Sequence, residues 1–387
     1  MEQLQLALVG CGGMAGAHVR GLEELAQAGI DDIQVVACCD LVEAQAQQRA
    51  DEIAEFQEHE PEIYTDVERM LSHVEDLDAV DICALHSQHH ILAVTCLEAG
   101  KHVIIEKPLA ITLRAGRKIL NAAVDNRCQL AVAENYRRSP QERARSWAVA
   151  SGRIGQPRTF YWLEAGLRLG KWGWRNFKRD AGAGWILDGG VHFADLFRYH
   201  LGTEARQVVA RAHSFEPYRY DEPVGREGAW PVDVEDCAMA LIDFDGGAVV
   251  QWTWQGSAPG QDFGKRVLYG SEGCIDWESG LWTRTGENTS NEALIEAYHN
   301  SLTEDELERL FPGGVEYTIS TELKDLADAV RGQGTPEVDG LAGYRSQAIC
   351  MAIFESEWFN RPVSLAEIER GDLEGYQAEI DQALGID

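Results

Sequence analysis

Apolar runs and helix-like segments alternate along the first third of the chain. Leu4–Val9 is a short apolar run that enters a Gly-rich turn, and a helical stretch extends from about Ala15 to Ala28. Ile33–Cys39 is a second run, closing at Asp40 ahead of an Ala/Gln/Glu-rich helix. Ala79–Leu85 reads as a buried strand, followed by a helix through Leu97, a stop at Gly100, and strands at Val103–Ile105 and Leu130–Ala133. These strands are continuously apolar, without the period-2 alternation of a half-solvated sheet, and helices separate them. The pattern predicts an α/β fold in which residues 1–135 form a doubly wound parallel sheet of the Rossmann dinucleotide-binding type.

From about Tyr136 the pattern changes. Arg158–Glu164, Cys237–Phe244 and Ala248–Gln255 are longer apolar-aromatic runs, the last two joined by Asp245-Gly246-Gly247 as a short hairpin connection. Gln207–His213, Arg266–Tyr269 and Cys274–Glu278 are further strand candidates, and a helix with 3.6-residue apolar spacing runs from about Leu341 to Phe359, before Pro362. Residues 136–387 are expected to form an α+β domain with a large, mostly antiparallel open sheet. Most of the eleven Trp fall between positions 147 and 282. Indoles on an open sheet face favour burial against another copy of the chain, so a homodimer or homotetramer through that sheet is expected.

At 387 residues two domains are the natural expectation, and 45% hydrophobic residues suffice to build both cores. No apolar run is long enough to span a membrane, and the N-terminal MEQLQLALVGCGG lacks a basic leader and runs into a strand, which points to a cytoplasmic protein. The 64 acidic and 34 basic residues leave a net charge of −30, a field that repels nucleic acid and anionic lipid. Nine Cys include no C-x-x-C pair, so they read as free thiols in a reducing compartment rather than metal or redox motifs.

Chemistry enters at three places. The turn Gly10-Cys11-Gly12-Gly13-Met14, with Ala15 or Gly16 as the third small residue, lies between a strand and a helix. There Gly10 permits the tight turn and Gly12 the approach of a pyrophosphate to the helix N-terminus. Asp40, ending the second strand, is placed to accept hydrogen bonds from ribose hydroxyls, or else to cap the next helix. A carboxylate there disfavours a 2′-phosphate, and Leu41 and Val42 supply no guanidinium for one, so NAD is expected over NADP. Glu106, Lys107 and Pro108 follow a buried strand, where a doubly wound sheet presents residues to its ligand, although Glu-Lys-Pro is also a common surface turn. In AGAGWILDGGVHFAD, a helix from Trp185 would put Asp188 and His192 on one face as hydroxyl binder and proton-transfer imidazole, as structural residues, or as two ligands of a metal site lacking a third. Trp162, Trp172 and Trp174 are candidates to stack on a pyranose or to pack in the core.

Taken together, GCGGMAG, Asp40, HHILAVTCLEAGKHVIIEKPLA, AENYRRSP, the Asp188–His192 segment and the helix before NRPVSL resemble the Gfo/Idh/MocA family, named for glucose–fructose oxidoreductase and inositol dehydrogenase. The resemblance implies an NAD-dependent oxidoreductase moving hydride between nicotinamide and a hydroxyl or keto carbon of a sugar, inositol or related polyol. It implies that Lys107 positions the reacting hydroxyl and assists proton transfer, His192 is the principal acid/base, and Asp188 binds a neighbouring hydroxyl. Glu106 would lie beside the nicotinamide, and His90 matches the His that opens the helix after the fourth strand. The family's Thr-Pro before that helix is Leu85-His86 here, and Arg137 and Trp174-Arg175 fall in segments that face nicotinamide or substrate. No metal is implied. Some relatives instead use transient oxidation to eliminate a glycosidic substituent with NAD retained. A non-catalytic nucleotide-binding protein is a third reading, against which the intact Lys107, Asp188 and His192 argue.

Overall fold

A computed structural model describes residues 3–386. The chain divides into two compact units. The first comprises the chain up to Ile111, Ala115–Ser139 and Leu302–Tyr344; the second comprises Thr112–Arg114, Pro140–Ser301 and the chain from Arg345. The first unit thus continues four residues past the expected boundary at 135, and it takes in Leu302–Tyr344, a segment expected in the second domain.

In the first unit β1 (Leu4–Val9), β2 (Ile33–Cys39), β3 (Glu62–Tyr64), β4 (Ala79–Ile82), β5 (His102–Glu106) and β6 (Leu130–Ala133) form one parallel sheet, ordered β3-β2-β1-β4-β5-β6. This is the dinucleotide-binding order, with the reversal point between β1 and β4. β3 was absent from the expectation because Glu-Ile-Tyr is too short and too polar to register as an apolar run. The strand expected to reach Leu85 ends at Ile82, where the chain turns under the glycines. Helix α1 (Gly13–Gln27) packs on the sheet through Ala15, Val19 and Leu22, and the helix Thr318–Val330 joins the same core through Ile319, Leu323 and Leu326. Its backbone comes close enough that a Cβ on Gly21 would sit 3.1 Å from the Ser320 nitrogen, and no local pattern in the sequence announces that contact.

The second unit is built on a nine-stranded sheet. Its strands are β7 (Pro157–Ala165), β8 (Ala205–His213), β11 (Cys237–Phe244), β12 (Val249–Gln255), β13 (Phe263–Gly270), β14 (Gly273–Asp276), β15 (Gly280–Thr283), β16 (Asn288–Thr289) and β17 (Val363–Ser364). The pair β9 (Tyr218–Arg219) and β10 (Trp230–Pro231) stands apart as a small ribbon. The order is β16-β15-β14-β13-β7-β12-β11-β8-β17, antiparallel throughout except for the parallel β7–β12 pair. Gly246 and Gly247 take positive φ in the turn joining β11 to β12, as that hairpin requires.

One sheet face is apolar and covered. Trp162 and Trp252 are each 1% exposed, and Trp162 packs 4.6 Å from Phe193 and 5.6 Å from Phe197. Trp162 is therefore a core residue and not a sugar platform. The opposite face carries Val209, Met239, Leu241 and Tyr269, all exposed, among polar residues such as Arg211, Gln251 and Thr253, and it is not where most strand indoles reside. In the helix Gly340–Phe359 residues 346–356 are all buried; its apolar set is not confined to the single stripe expected, because it is enclosed on every side. All nine Cys are free thiols. Among the described residues no helix is long and apolar enough to cross a membrane.

Candidate active site

In the first unit the turn after β1 is shaped by close approach. Gly10 has φ +84°, and a Cβ there would come within 2.7 Å of the Cys83 carbonyl oxygen, so only glycine fits. Gly12 precedes α1 with no side chain capping the first helical turn, and a Cβ on Gly13 would meet nothing within 4 Å. Uncapped N–H groups facing open space suit an anionic group such as a pyrophosphate. Met14 and Ala15 pack into the core behind them. Asp40 closes the other side of the turn. Its Oδ2 accepts the Cys11 N–H at 2.8 Å and its Oδ1 the Val42 N–H at 2.8 Å. Each oxygen keeps a further lone pair. The following helix is capped at Val42, so Asp40 is not its N-cap. Leu41 is 91% exposed and Val42 half exposed.

The helix His86–Glu98 opens after an extended Leu85, which places His90 one turn inside rather than at its start. His86 and His90 are buried, and His90 Nδ1 has no hydrogen-bond partner. Burial, then the charge of Lys118, pushes the His90 pKa down. His89, which sequence reasoning missed, sits with Nδ1 2.9 Å from the Pro108 carbonyl and Nε2 3.2 Å from that of Ala84. Burial first and His86 second push its pKa down to about 4, so near neutral pH the ring can donate to only one of the two.

Beyond β5, Lys107 is half-buried and its bond to Pro108 is cis. Glu106 accepts the Lys107 N–H through Oε2 at 3.1 Å, while its Oε1 lies 3.1 Å from His18 Nε2. His18 Nδ1 lies 2.8 Å from Asp81 Oδ2, and Cys83 Sγ donates to Asp81 Oδ1 at 3.7 Å. Burial alone would push His18 toward its neutral form. Burial is the largest single influence, but the charge and hydrogen bonds of Asp81 and Cys83 together outweigh it, and the pKa stands well above the ordinary range. Both ring nitrogens then donate, and the imidazolium clamps β4 and β5 to α1. Glu322 is buried, with both carboxylate oxygens lacking a hydrogen-bond partner, and burial holds its pKa well above the carboxylate range. Arg137 is buried in the turn Tyr136–Arg138; its neighbour Arg138 is structural, pairing with Asp325 at 2.8 Å and Glu337 at 3.4 Å.

In the second unit the short helix Trp185–Asp188 runs through Gly189, in right-handed helical geometry, into the helix Gly190–Leu201. The expected i,i+4 spacing of Asp188 and His192 is thus realised on a nearly continuous helix, and both are buried. Glycine is required at the junction: a Cβ on Gly189 would press on the Trp185 ring at 2.6 Å and one on Gly190 on Trp252 at 2.7 Å. Glu235, another residue missed from sequence, receives the Gly184 N–H at 2.7 Å and the Ile186 N–H at 2.9 Å, anchoring the start of this segment. Asp188 Oδ1 accepts from Arg175 Nε at 2.9 Å, and the Arg175 guanidinium lies 4.4 Å from the Trp174 ring and 5.3 Å from that of Trp172. Arg175 also lines a cavity of about 650 Å³ at the ends of β7 and β12.

The structure therefore gathers Gly10, Gly12, Gly13 and Asp40 about one turn, and Asp188, Arg175 and Trp174 about another point. Lys107 and Glu106 belong to the first unit, His192 and Asp188 to the second. Asp81 had a signal in the sequence, as the one ionisable residue of an otherwise apolar strand, whereas His18 shares an amphipathic helix with Arg20, Glu23 and Glu24, and only its place among the buried Ala15, Val19 and Leu22 sets it apart.

Residues 4–134 match the model of the oxidoreductase family with an NAD-binding Rossmann fold, and residues 143–276 match the GFO/IDH/MocA C-terminal domain. The chain is 30% identical over 299 residues to 1,5-anhydro-D-fructose reductase of Ensifer adhaerens, covering 76% of this chain and 81% of that protein. The chain belongs to the Gfo/Idh/MocA family. Within that family it is also 32% identical over 219 residues to levoglucosan dehydrogenase of Pseudarthrobacter phenanthrenivorans, 52% of this chain and 55% of that one. A solved levoglucosan dehydrogenase in complex with NADH and L-sorbose superposes with a TM-score of 0.75 at 25% identity, covering 95% of this chain and all of that one. This Gfo/Idh/MocA protein is an oxidoreductase with a nucleotide-binding Rossmann unit.

Proposed function

We propose that the protein is an NAD-dependent dehydrogenase acting on a secondary hydroxyl, or the matching keto carbon, of a sugar, inositol or related polyol. The observation that carries this reading is Asp40, whose carboxylate is locked against the glycine turn with lone pairs to spare and with apolar, exposed Leu41 and Val42 beyond it. That arrangement favours two ribose hydroxyls and offers no cation to a 2′-phosphate, which supports NAD over NADP. The named activities of the reductase and dehydrogenase relatives support a carbohydrate substrate.

Bound NAD would supply the hydride acceptor. The turn Gly10–Met14 would hold its pyrophosphate, Asp40 its ribose, and Leu85, His86 and His90 would border the nicotinamide half. His18 holds the Glu106 carboxylate and so steadies the end of β5, from which Lys107 would orient the reacting hydroxyl. His192 would take the hydroxyl proton, Asp188 would bind the adjacent hydroxyl with Arg175 fixing its carboxylate, and Arg137 and Trp174 would border the substrate. The exposed face bearing Val209, Met239, Leu241 and Tyr269 is where a second copy would dock, giving a homodimer or homotetramer.

A panel of sugars, inositols and their keto forms, assayed with NAD and NADP by absorbance of the reduced nicotinamide, tests the reading. Turnover with NAD on at least one neutral sugar or polyol is expected. Exclusive use of NADP would overturn the cofactor assignment. Release of product from a glycoside without net reduction of NAD would replace dehydrogenation by redox-assisted elimination.

A further inference from the structure

The cavity beside Arg175 has a chemistry of its own. Trp172, Trp185 and Trp254 form a continuous aromatic wall, their rings 5.7 Å and 5.9 Å apart in sequence, the second pair stacked at 24°. Trp172 is 40% exposed, with Arg175 5.3 Å from its ring, so part of the indole surface at this end of the wall meets solvent. The charged side chains of the lining are satisfied by protein. Arg168 pairs with Asp262, Lys171 with Asp221 and Arg175 with Asp188, while Arg219 donates to the carbonyls of Glu216, Tyr218 and Glu235. A wall of flat apolar faces edged by mutually neutralised polar groups suits a neutral polyhydroxylated ring and offers little to a phosphate or uronate. At about 650 Å³ the cavity lies in the range that encloses a drug-sized ligand, well beyond the roughly dozen heavy atoms of one hexose.

We propose that this cavity is a subsite for a second, neutral sugar ring, so that the preferred substrate is a disaccharide or larger glycoside rather than a free monosaccharide. The ring to be oxidised would rest against Asp188, and the other would lie on the indole wall across Arg175. The assignment of the reacting ring rests on the dehydrogenase reading; the subsite itself rests on the cavity.

Calorimetric titration of the full chain with neutral disaccharides, with their constituent hexoses and with a uronic-acid disaccharide tests it, alongside the hydride-transfer assay on the same compounds. A disaccharide is expected to bind at least about tenfold tighter than its hexoses and than the uronate. Trp172→Ala should collapse that preference about tenfold, and Trp172→Phe should restore most of it, which a general folding defect would not allow. Equal affinity for hexose and disaccharide, a preference for the uronate, or a Trp172→Ala loss shared equally by hexose and disaccharide would each overturn the proposal. Disaccharide binding that depends on Trp172 without any nicotinamide reduction would leave the subsite standing and remove the dehydrogenase reading. Oxidation of hexoses with no disaccharide preference would do the reverse.

Discussion

His18→Gln removes a positive charge enclosed between two carboxylates. The imidazolium makes two charge-assisted hydrogen bonds, at 2.8 Å to Asp81 and 3.1 Å to Glu106, from a position with no solvent exposure. At about 1.5–3 kcal/mol for each bond the loss is about 3–6 kcal/mol, in line with the roughly 3–5 kcal/mol for breaking a buried ion pair. Glutamine retains an amide donor, so about 3 kcal/mol is expected. All eleven Trp lie in the second unit, so no indole within the first unit reports on this site. Amide hydrogen exchange of peptides spanning β4, β5 and α1 does. Burial lowers the His18 pKa, and Asp81 with Cys83 together more than offset it, leaving the folded value raised above the ordinary 6.5. The stabilisation is therefore complete below about pH 6.5 and lost as pH rises through the folded value. The gap between wild type and His18→Gln should narrow on the alkaline side. Adding Asp81→Asn should recover part of the loss, because the stranded carboxylate is removed as well. A single-variant loss under about 1 kcal/mol, or a gap that stays constant between about pH 6 and pH 9, would refute the imidazolium clamp.

Lys107→Ala and His192→Ala should each lower hydride-transfer turnover by about 10²–10⁴-fold while NAD affinity holds, as read by steady-state reduction and NAD titration. Asp40→Ser removes a carboxylate from the ribose position, worth about 1.5–3 kcal/mol per charge-assisted bond. Its KM for NAD should rise about 10–100-fold, with a smaller change for NADP. Glu235→Gln leaves only one good acceptor for the Gly184 and Ile186 N–H groups. It should cost about 1–3 kcal/mol in urea unfolding followed by tryptophan emission, which does report on that unit.

The sequence alone settled whatever depends on neighbours along the chain. Continuous apolar runs separated by helices defined five of the six Rossmann strands, Gly10 and Gly12 marked the turn that α1 follows, and the fourfold spacing of Asp188 and His192 survived folding. Net charge and composition removed nucleic acid from the list of expected partners. What failed locally was short or doubly determined: β3 is three residues long, and Trp162 reads equally well as platform or core. Only tertiary structure decided that Thr318–Val330 packs beside α1, that Glu106 turns inward to His18, and that three tryptophans from separate segments line one cavity. The reason is physical. Spacing and periodicity record which face of an element is apolar, whereas a hydrogen bond between residues 63 or 49 positions apart, as in His18–Asp81 and Glu235–Ile186, depends on how those faces meet. No short window of sequence contains that information.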